Sequence, residues 1–196
     1  MSDPWRASVP IVHFDDLFAR EVDPFDLEGR WYERRKRAVT LAALEREHYP
    51  DALELACAEG ALSELLAERC TRLVSVDGSG IAVQRAAARL AHLPRVTVEE
   101  AALPQQIPAG PFDLVLVAEV GYYLVPADLD ALIRGSSAST ATGGELVAVH
   151  WRHPSAEYPS DGERVHERFH ALLDPVYDHA VGLTDRDFLL DSWRMK

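Results

Sequence analysis

ALELACAEGALSELLAERCTRLVSVD, residues Ala52 to Asp77, reads as strand, small-residue turn, helix, second strand and terminal acid. The run Ala52, Leu53, Leu55, Ala56 with Glu54 inside it has the length of a buried parallel strand, and Ala56, Ala58, Gly60 and Ala61 follow at once. Small residues at that point let a backbone come close to a ligand. Leu62, Leu65 and Leu66 recur at helical spacing between Glu59 and Arg69, and Arg72 to Asp77 alternates polar and apolar side chains. The order is that of a nucleotide-binding βαβ unit, whose second strand ends on a carboxylate beside the first turn, placed to accept hydrogen bonds from ribose hydroxyls. Asp77 falls 17 residues after Gly60, and Gly78-Ser79-Gly80 follows it as a second turn with room for an adenosine. Packing alone explains many such small-residue turns.

The elements on either side extend this unit into an α/β domain. Val12 to Arg20 carries Phe14, Leu17 and Phe18 on one helical face; Asp23-Pro24-Phe25 breaks the pattern before a second helix expected from Leu27 to Leu44, its apolar side formed by Leu27, Trp31, Ala38, Leu41 and Ala42. Downstream, Ser79 caps a helix to Leu90, Val96 to Ala101 is a strand, and Phe112 to Val120 is the clearest buried strand, with Glu119 where it emerges. A helix over Asp128 to Ala138, a turn at Thr142-Gly143-Gly144 and a strand over Glu145 to Trp151 follow. Gly162 to Leu173 is a helix, and strands around Val176 to Leu183 and Phe188 to Trp193 flank the hairpin turn Asp185-Arg186-Asp187. Ligands bind at the carboxyl ends of strands in such sheets, which brings Asp77, Glu119, His150 and Trp151 to one edge.

At 196 residues the chain suits one domain, residues 1–45 forming N-terminal helices and residues 50–196 the core. No apolar run reaches the roughly 20 residues that span a bilayer, and MSDPWRASVP has neither the basic nor the apolar region of a leader, so a cytoplasmic protein without membrane partner is expected. Cys57 and Cys70 suit buried free thiols. A formal charge of -12 repels phosphate backbones and argues against nucleic acid. The basic cluster Arg30, Arg34, Arg35, Lys36 and Arg37 spreads around its helix and reads as a solvated or inter-element face.

Local strings along most of the chain resemble the nodulation-protein-S-like (NodS-like) family of S-adenosylmethionine (SAM)-dependent methyltransferases. They are Asp23-Pro24-Phe25, Tyr32-Glu33-Arg34-Arg35-Lys36, Leu53-Glu54-Leu55-Ala56-Cys57, Phe112-Asp113-Leu114-Val115, Ala118-Glu119-Val120-Gly121-Tyr122-Tyr123-Leu124, Val149-His150-Trp151-Arg152-His153, Val165-His166 and Asp187-Phe188-Leu189-Leu190. The resemblance implies a Rossmann-like class I methyltransferase fold: a mostly parallel seven-stranded sheet with an antiparallel last strand, helices on both faces and an N-terminal helical lid. It implies SAM as cofactor, with Glu54, Ala56, Cys57, Ala58 and Gly60 at its methionine part, Asp77 at the ribose, Gly78, Ala102 and Leu103 bordering the adenine, Glu119 near the methionine end and Tyr32 in the lid. N-methylation of a small-molecule or sugar-derived acceptor follows, since founding members methylate the amine of a chito-oligosaccharide. The pattern ExGxGxG is met by Glu54 to Gly60 with alanine at its first two glycine positions. Residue 56 continues a strand, so ordinary strand angles with the methyl turned from the ligand are expected, with SAM binding retained but weakened.

Methyl transfer from a sulfonium is a direct displacement that asks mainly for alignment and, for an amine, loss of a proton. His150 is the expected base or acceptor-orienting group, with Glu119 and His166 as the other titratable candidates, and Tyr122, Tyr123 and Trp151 are expected to shape the acceptor pocket. Two alternatives stand beside this reading. Ala56 motivates a repurposed fold that binds SAM poorly and serves as a partner-binding subunit. His166-Glu167-Arg168-Phe169-His170 matches the HExxH pattern of zinc hydrolases, with His150, His153 and His179 available as third ligand, but no metal is expected.

Overall fold

A computed structural model of the chain describes residues 5–196; the first four residues of the expected single domain, and of the segment read for a leader, lie outside the described residues. Two helices come first, Ile11–Arg20 (α1) and Trp31–Ala43 (α2). The opening unit is Tyr49–Leu55 (β1), Ala61–Leu66 (α3), a short 3-10 turn and Cys70–Asp77 (β2). Gly80–Leu90 (α4), Val96–Glu100 (β3) and Phe112–Ala118 (β4) continue it. Pro126–Ser139 (α5), Thr140–Trp151 (β5), Gly162–Leu173 (α6), Tyr177–Thr184 (β6) and Phe188–Met195 (β7) complete the described chain.

Among the described residues seven strands form one sheet in the order β3-β2-β1-β4-β5-β7-β6. β1 pairs in parallel with β2 and β4, and β7 runs antiparallel to both β5 and β6. This is the expected Rossmann-like methyltransferase sheet, and its strand order reverses between β1 and β4, where a crevice opens at the carboxyl edge. β4 is central because Leu114, Val115, Leu116 and Val117 are fully buried and so fill both faces. Each such side chain contributes about 1.5–3 kcal/mol by leaving water. One face meets Leu129, Leu132 and Ile133 of α5 and Val165 and Phe169 of α6; the other meets Leu44, Leu66 and Ala67.

Local chemistry sets several boundaries. Ser79 Oγ accepts from Ala82 N and caps α4 as expected. α2 begins at Trp31 rather than Leu27, because the Asp23 carboxylate accepts from Leu27 N and Glu28 N and holds residues 23–28 in a turn of their own. The expected turn at Thr142 to Gly144 lies inside β5: Phe112 pairs with Thr140 and Leu114 with Glu145, so the extra residues form a bulge at Gly143, whose φ is +71°. Among the described residues no helix is long and apolar enough to cross a membrane.

Candidate active site

A cavity of about 820 Å³ lies over the carboxyl ends of β1, β2 and β4 and is roofed by α1 and α2. Its floor is the turn after β1. Cys57 N donates to Val76 O at 3.0 Å, and Ala58 N donates to Asp77 Oδ2 at 2.8 Å, while Ser79 N donates to Asp77 Oδ1 at 2.9 Å. One carboxylate therefore ties the first turn to the second, and each oxygen keeps lone-pair capacity for a further donor. Burial pushes the Asp77 pKa up, opposed by the backbone donors of Ser79 and Ala58. The turn is left-handed at three places: Ala56 has φ +60°, Ala58 +48° and Gly60 +80°. Residue 56 thus lacks the strand angles expected from alternation. β1 ends at Leu55, one residue early, and Cys57 N meets β2 again beyond the left-handed residue.

Glu54, the last acid of β1, is 1 % exposed and accepts from Ser63 Oγ at 2.5 Å and Ser75 Oγ at 2.8 Å. Burial pushes its pKa up to about 7. Glu119, at φ +55° just past β4, is the most connected acid of the wall: Oε1 accepts from Lys36 Nζ at 2.8 Å and Trp151 N at 3.0 Å, and Oε2 from the Tyr122 hydroxyl. Lys36 reaches it from α2 and also pairs with Glu33 at 3.0 Å. The Tyr32 ring lies 4.6 Å from the same ammonium, and its buried hydroxyl has no hydrogen-bond partner. Such a hydroxyl costs roughly 1–3 kcal/mol until something accepts or donates to it.

The buried side of α2 is consequently Glu33, Lys36, Arg37 and Thr40, while Trp31, Ala38 and Ala42, expected on its apolar side, face solvent. The helix lays this charged stripe over the cavity, while Val39, Leu41 and Ala43 pack against the core. The basic cluster divides accordingly: Lys36 and Arg37 are buried, Arg35 pairs with Asp185 at 2.5 Å, and Arg34 holds the carbonyls of Glu28 and Gly29.

Of the expected cofactor residues, Tyr32, Glu54, Ala56, Cys57, Ala58, Asp77, Gly78, Leu103 and Glu119 line the cavity. Gly60 does not; its αL angles start α3, and a Cβ there would meet Leu90 Cδ1 at 3.0 Å. Ala102 also stands off the wall, with its N–H on Gln106 Oε1. Cys57 and Cys70 are free and buried, and burial pushes both thiols up. Tyr122, Tyr123 and Trp151 line the cavity, and Tyr158, absent from the sequence-based reading, stacks on Tyr122. Tyr158 belongs to an irregular segment with no periodic signal.

His150 and His166 are the main correction. His150 is fully buried and does not line the cavity; its Nε2 accepts from Gly121 N at 3.2 Å. A backbone N–H can only donate, so His150 carries its proton on Nδ1 and gives it to His166 Nε2 at 3.2 Å, and His166 Nδ1 in turn donates to Asp191 Oδ2 at 2.6 Å. Burial, with His166 and Lys36 nearby, holds the His150 pKa well below the usual histidine range. The ring is a neutral link in a buried chain, with no free lone pair to take an acceptor's proton. Gly121 makes this possible, since a Cβ there would meet Val165 Cγ1 at 2.6 Å and His150 Nε2 at 3.1 Å. The acids on the cavity wall beside α2 are Glu33 and Glu119, both paired with Lys36.

The family model described as nodulation protein S (NodS) matches residues 13–142. Nodulation protein S of Rhizobium tropici is 34% identical over 127 residues, which is 64% of this chain and 53% of that protein, so the match spans about half the length of that relative. A solved Pseudomonas syringae protein is 44% identical, covering 84% of this chain and 99% of that one with a TM-score of 0.74. The N-methyltransferase NodS of Bradyrhizobium japonicum, solved with S-adenosyl-L-homocysteine, is 26% identical, covering 94% of this chain and 98% of that one with a TM-score of 0.83. The family model spans more than half of the chain, which belongs to the nodulation protein S family.

Proposed function

We propose that the chain is a SAM-dependent methyltransferase acting on an amine of a small-molecule acceptor. The observation that carries this reading is Asp77, a carboxylate pinned between Ala58 N and Ser79 N on the wall of an 820 Å³ cavity, with lone pairs left for a diol. The residues fit the cofactor in three respects: the strand-end acid, the acid Glu119 on the wall, and the partnerless Tyr32 hydroxyl in the roof. Asp77 would hold the ribose, Gly78 and Leu103 would border the adenine, and the backbone of Ala56 to Ala58 would face the methionine part. When bound, SAM supplies a methyl group activated on a sulfonium. The chain's own part is alignment. Tyr122, Tyr123, Trp151 and Tyr158 bound the acceptor space with aromatic surface, and Glu119, fixed by Lys36, Tyr122 and Trp151 N, orients an amine by its charge. The Bradyrhizobium relative is an N-methyltransferase, which supports an amine acceptor, and a cavity of about 820 Å³ suits a small molecule. Two buried free thiols suit the cytoplasm.

Titration calorimetry with SAM and S-adenosylhomocysteine tests the reading. The native chain should bind both, and Asp77→Ala should weaken binding about ten- to a hundredfold, as expected for loss of about 1.5–3 kcal/mol of charge-assisted hydrogen bonding. Absence of binding in the native chain would mean a fold retained for another purpose. Unchanged affinity in the variant would remove Asp77 from the site.

A further inference from the structure

Away from the residues that line the cavity, three histidine rings converge on one carboxylate. Asp191 of β7 meets His166 Nδ1 through Oδ2 at 2.6 Å, and His179 Nε2 of β6 and His170 Nε2 of α6 through Oδ1 at 2.7 and 3.4 Å. One ligand atom from each of His170, His179 and Asp191 lies within 4.8 Å of the others. We propose that these three residues form a binding site for a borderline divalent metal ion of the zinc type, with solvent completing its coordination.

The sequence matched HExxH here, but the structure dismantles that motif. His166 points inward to His150 and Asp191, and Glu167 is exposed, so the pair His166 and His170 does not ligate together and no acid stands ready as a base. What remains is a different triad drawn from three elements. In a tetrahedral site with bonds of about 2.0–2.1 Å, ligand atoms stand roughly 3.3 Å apart. His170 and Asp191 already have that separation, and His179 needs only to open from its hydrogen bond. Asp174 lies 3.4 Å from His170 Nδ1 and favours the proton there, which leaves the Nε2 lone pair for a metal. His166 holds the other Asp191 oxygen and so fixes the carboxylate plane.

The backbone makes room for this arrangement. A register shift between His179 and Val181 interrupts the β6–β7 ladder, and Gly182 faces Asp191 across it. A Cβ at 182 would stand 2.9 Å from His179 Cε1 and 3.3 Å from Asp191 Oδ1, so a side chain there would push the ring and carboxylate apart. Trp193 backs both rings, at 5.1 Å from His170 and 5.7 Å from His179. The His170 and His179 side chains are 36% and 38% exposed, which leaves a path of entry. Two imidazoles with one carboxylate oxygen select zinc, cobalt, nickel or copper over magnesium or calcium. An ion here clips α6 to the terminal hairpin.

The experiment uses the untagged full chain, stripped with chelator, titrated with Zn²⁺ by calorimetry and with Co²⁺ by visible absorption. One ion per chain is expected, with a rise in thermal midpoint of about 5 °C or more at a hundredfold excess over Kd. His170→Gln and His179→Gln should each weaken binding at least tenfold and remove the cobalt spectrum, while His153→Gln, on another surface, should not. Both test positions are partly exposed, and a metal-free thermal midpoint close to native identifies variants that fold normally. No binding by the native chain, native affinity in either ligand variant, or an equal loss in His153→Gln would each overturn the site.

Discussion

Ala56 is where one residue's conformation bears most on function. Its φ of +60° and the +48° of Ala58 lie in the left-handed region, where a Cβ costs roughly 1–2 kcal/mol, and both stand at glycine positions of the ExGxGxG pattern. The strain is held by ties to β2, Cys57 N on Val76 O and Ala58 N on Asp77 Oδ2. Ala56→Gly should therefore raise stability by about 1 kcal/mol, a shift of roughly 2–4 °C in thermal midpoint, and tighten SAM binding through a lower-cost turn. Equal midpoints and equal affinities in calorimetry would show that residue 56 carries no such strain. The motif was legible in the sequence; the sign of φ was not, because alternation along β1 projects extended angles onto residue 56, whereas the strand ends at Leu55.

Among the elements, β5 and α2 changed meaning most between sequence and structure. His150 closes β5 beside the ligand edge, yet its side chain enters the sheet's interior and links Gly121 N to His166. His150→Ala should cost about 2–4 kcal/mol of stability, from a cavity and two polar groups left unpaired, while turnover per folded molecule stays within about threefold of native. A hundredfold loss of turnover at unchanged denaturation midpoint would restore His150 as a base. α2 teaches the complementary point. Its helical period was plain, but which stripe is buried depended on what it covers, and the charged stripe of Glu33 and Lys36 goes inward because Glu119 and the cavity lie beneath it.

For the molecule as a whole, pH acts on stability through acids enclosed under the cavity. Burial raises the Glu54 pKa from 4.5 to about 7, so the fold favours its neutral form. The stability this contributes is fully present below about pH 4.5 and is lost as pH rises through 7, amounting to about 3 kcal/mol at roughly 1.4 kcal/mol per unit. Burial raises Glu33 and Glu145 in the same direction, whereas Asp130 and Asp185, lowered by Arg168 and Arg35 at the surface, act the opposite way at more acid pH. Urea unfolding at pH 5 and pH 8 should show the native chain losing about 2.5 kcal/mol more than Glu54→Gln over that interval; parallel losses would place the titration elsewhere. By itself the sequence determined the βαβ opening, the buried run of β4, the α4 cap, the reversed last strand through its family strings, and Asp77 as the strand-end acid, because periodicity, capping and turn chemistry act over a few residues. Only the tertiary structure decided that Lys36 meets Glu119 across 83 positions, that His150 leaves the cleft, and that His170, His179 and Asp191 converge. Those contacts arise from strand register and helix docking, which join residues that no local pattern relates.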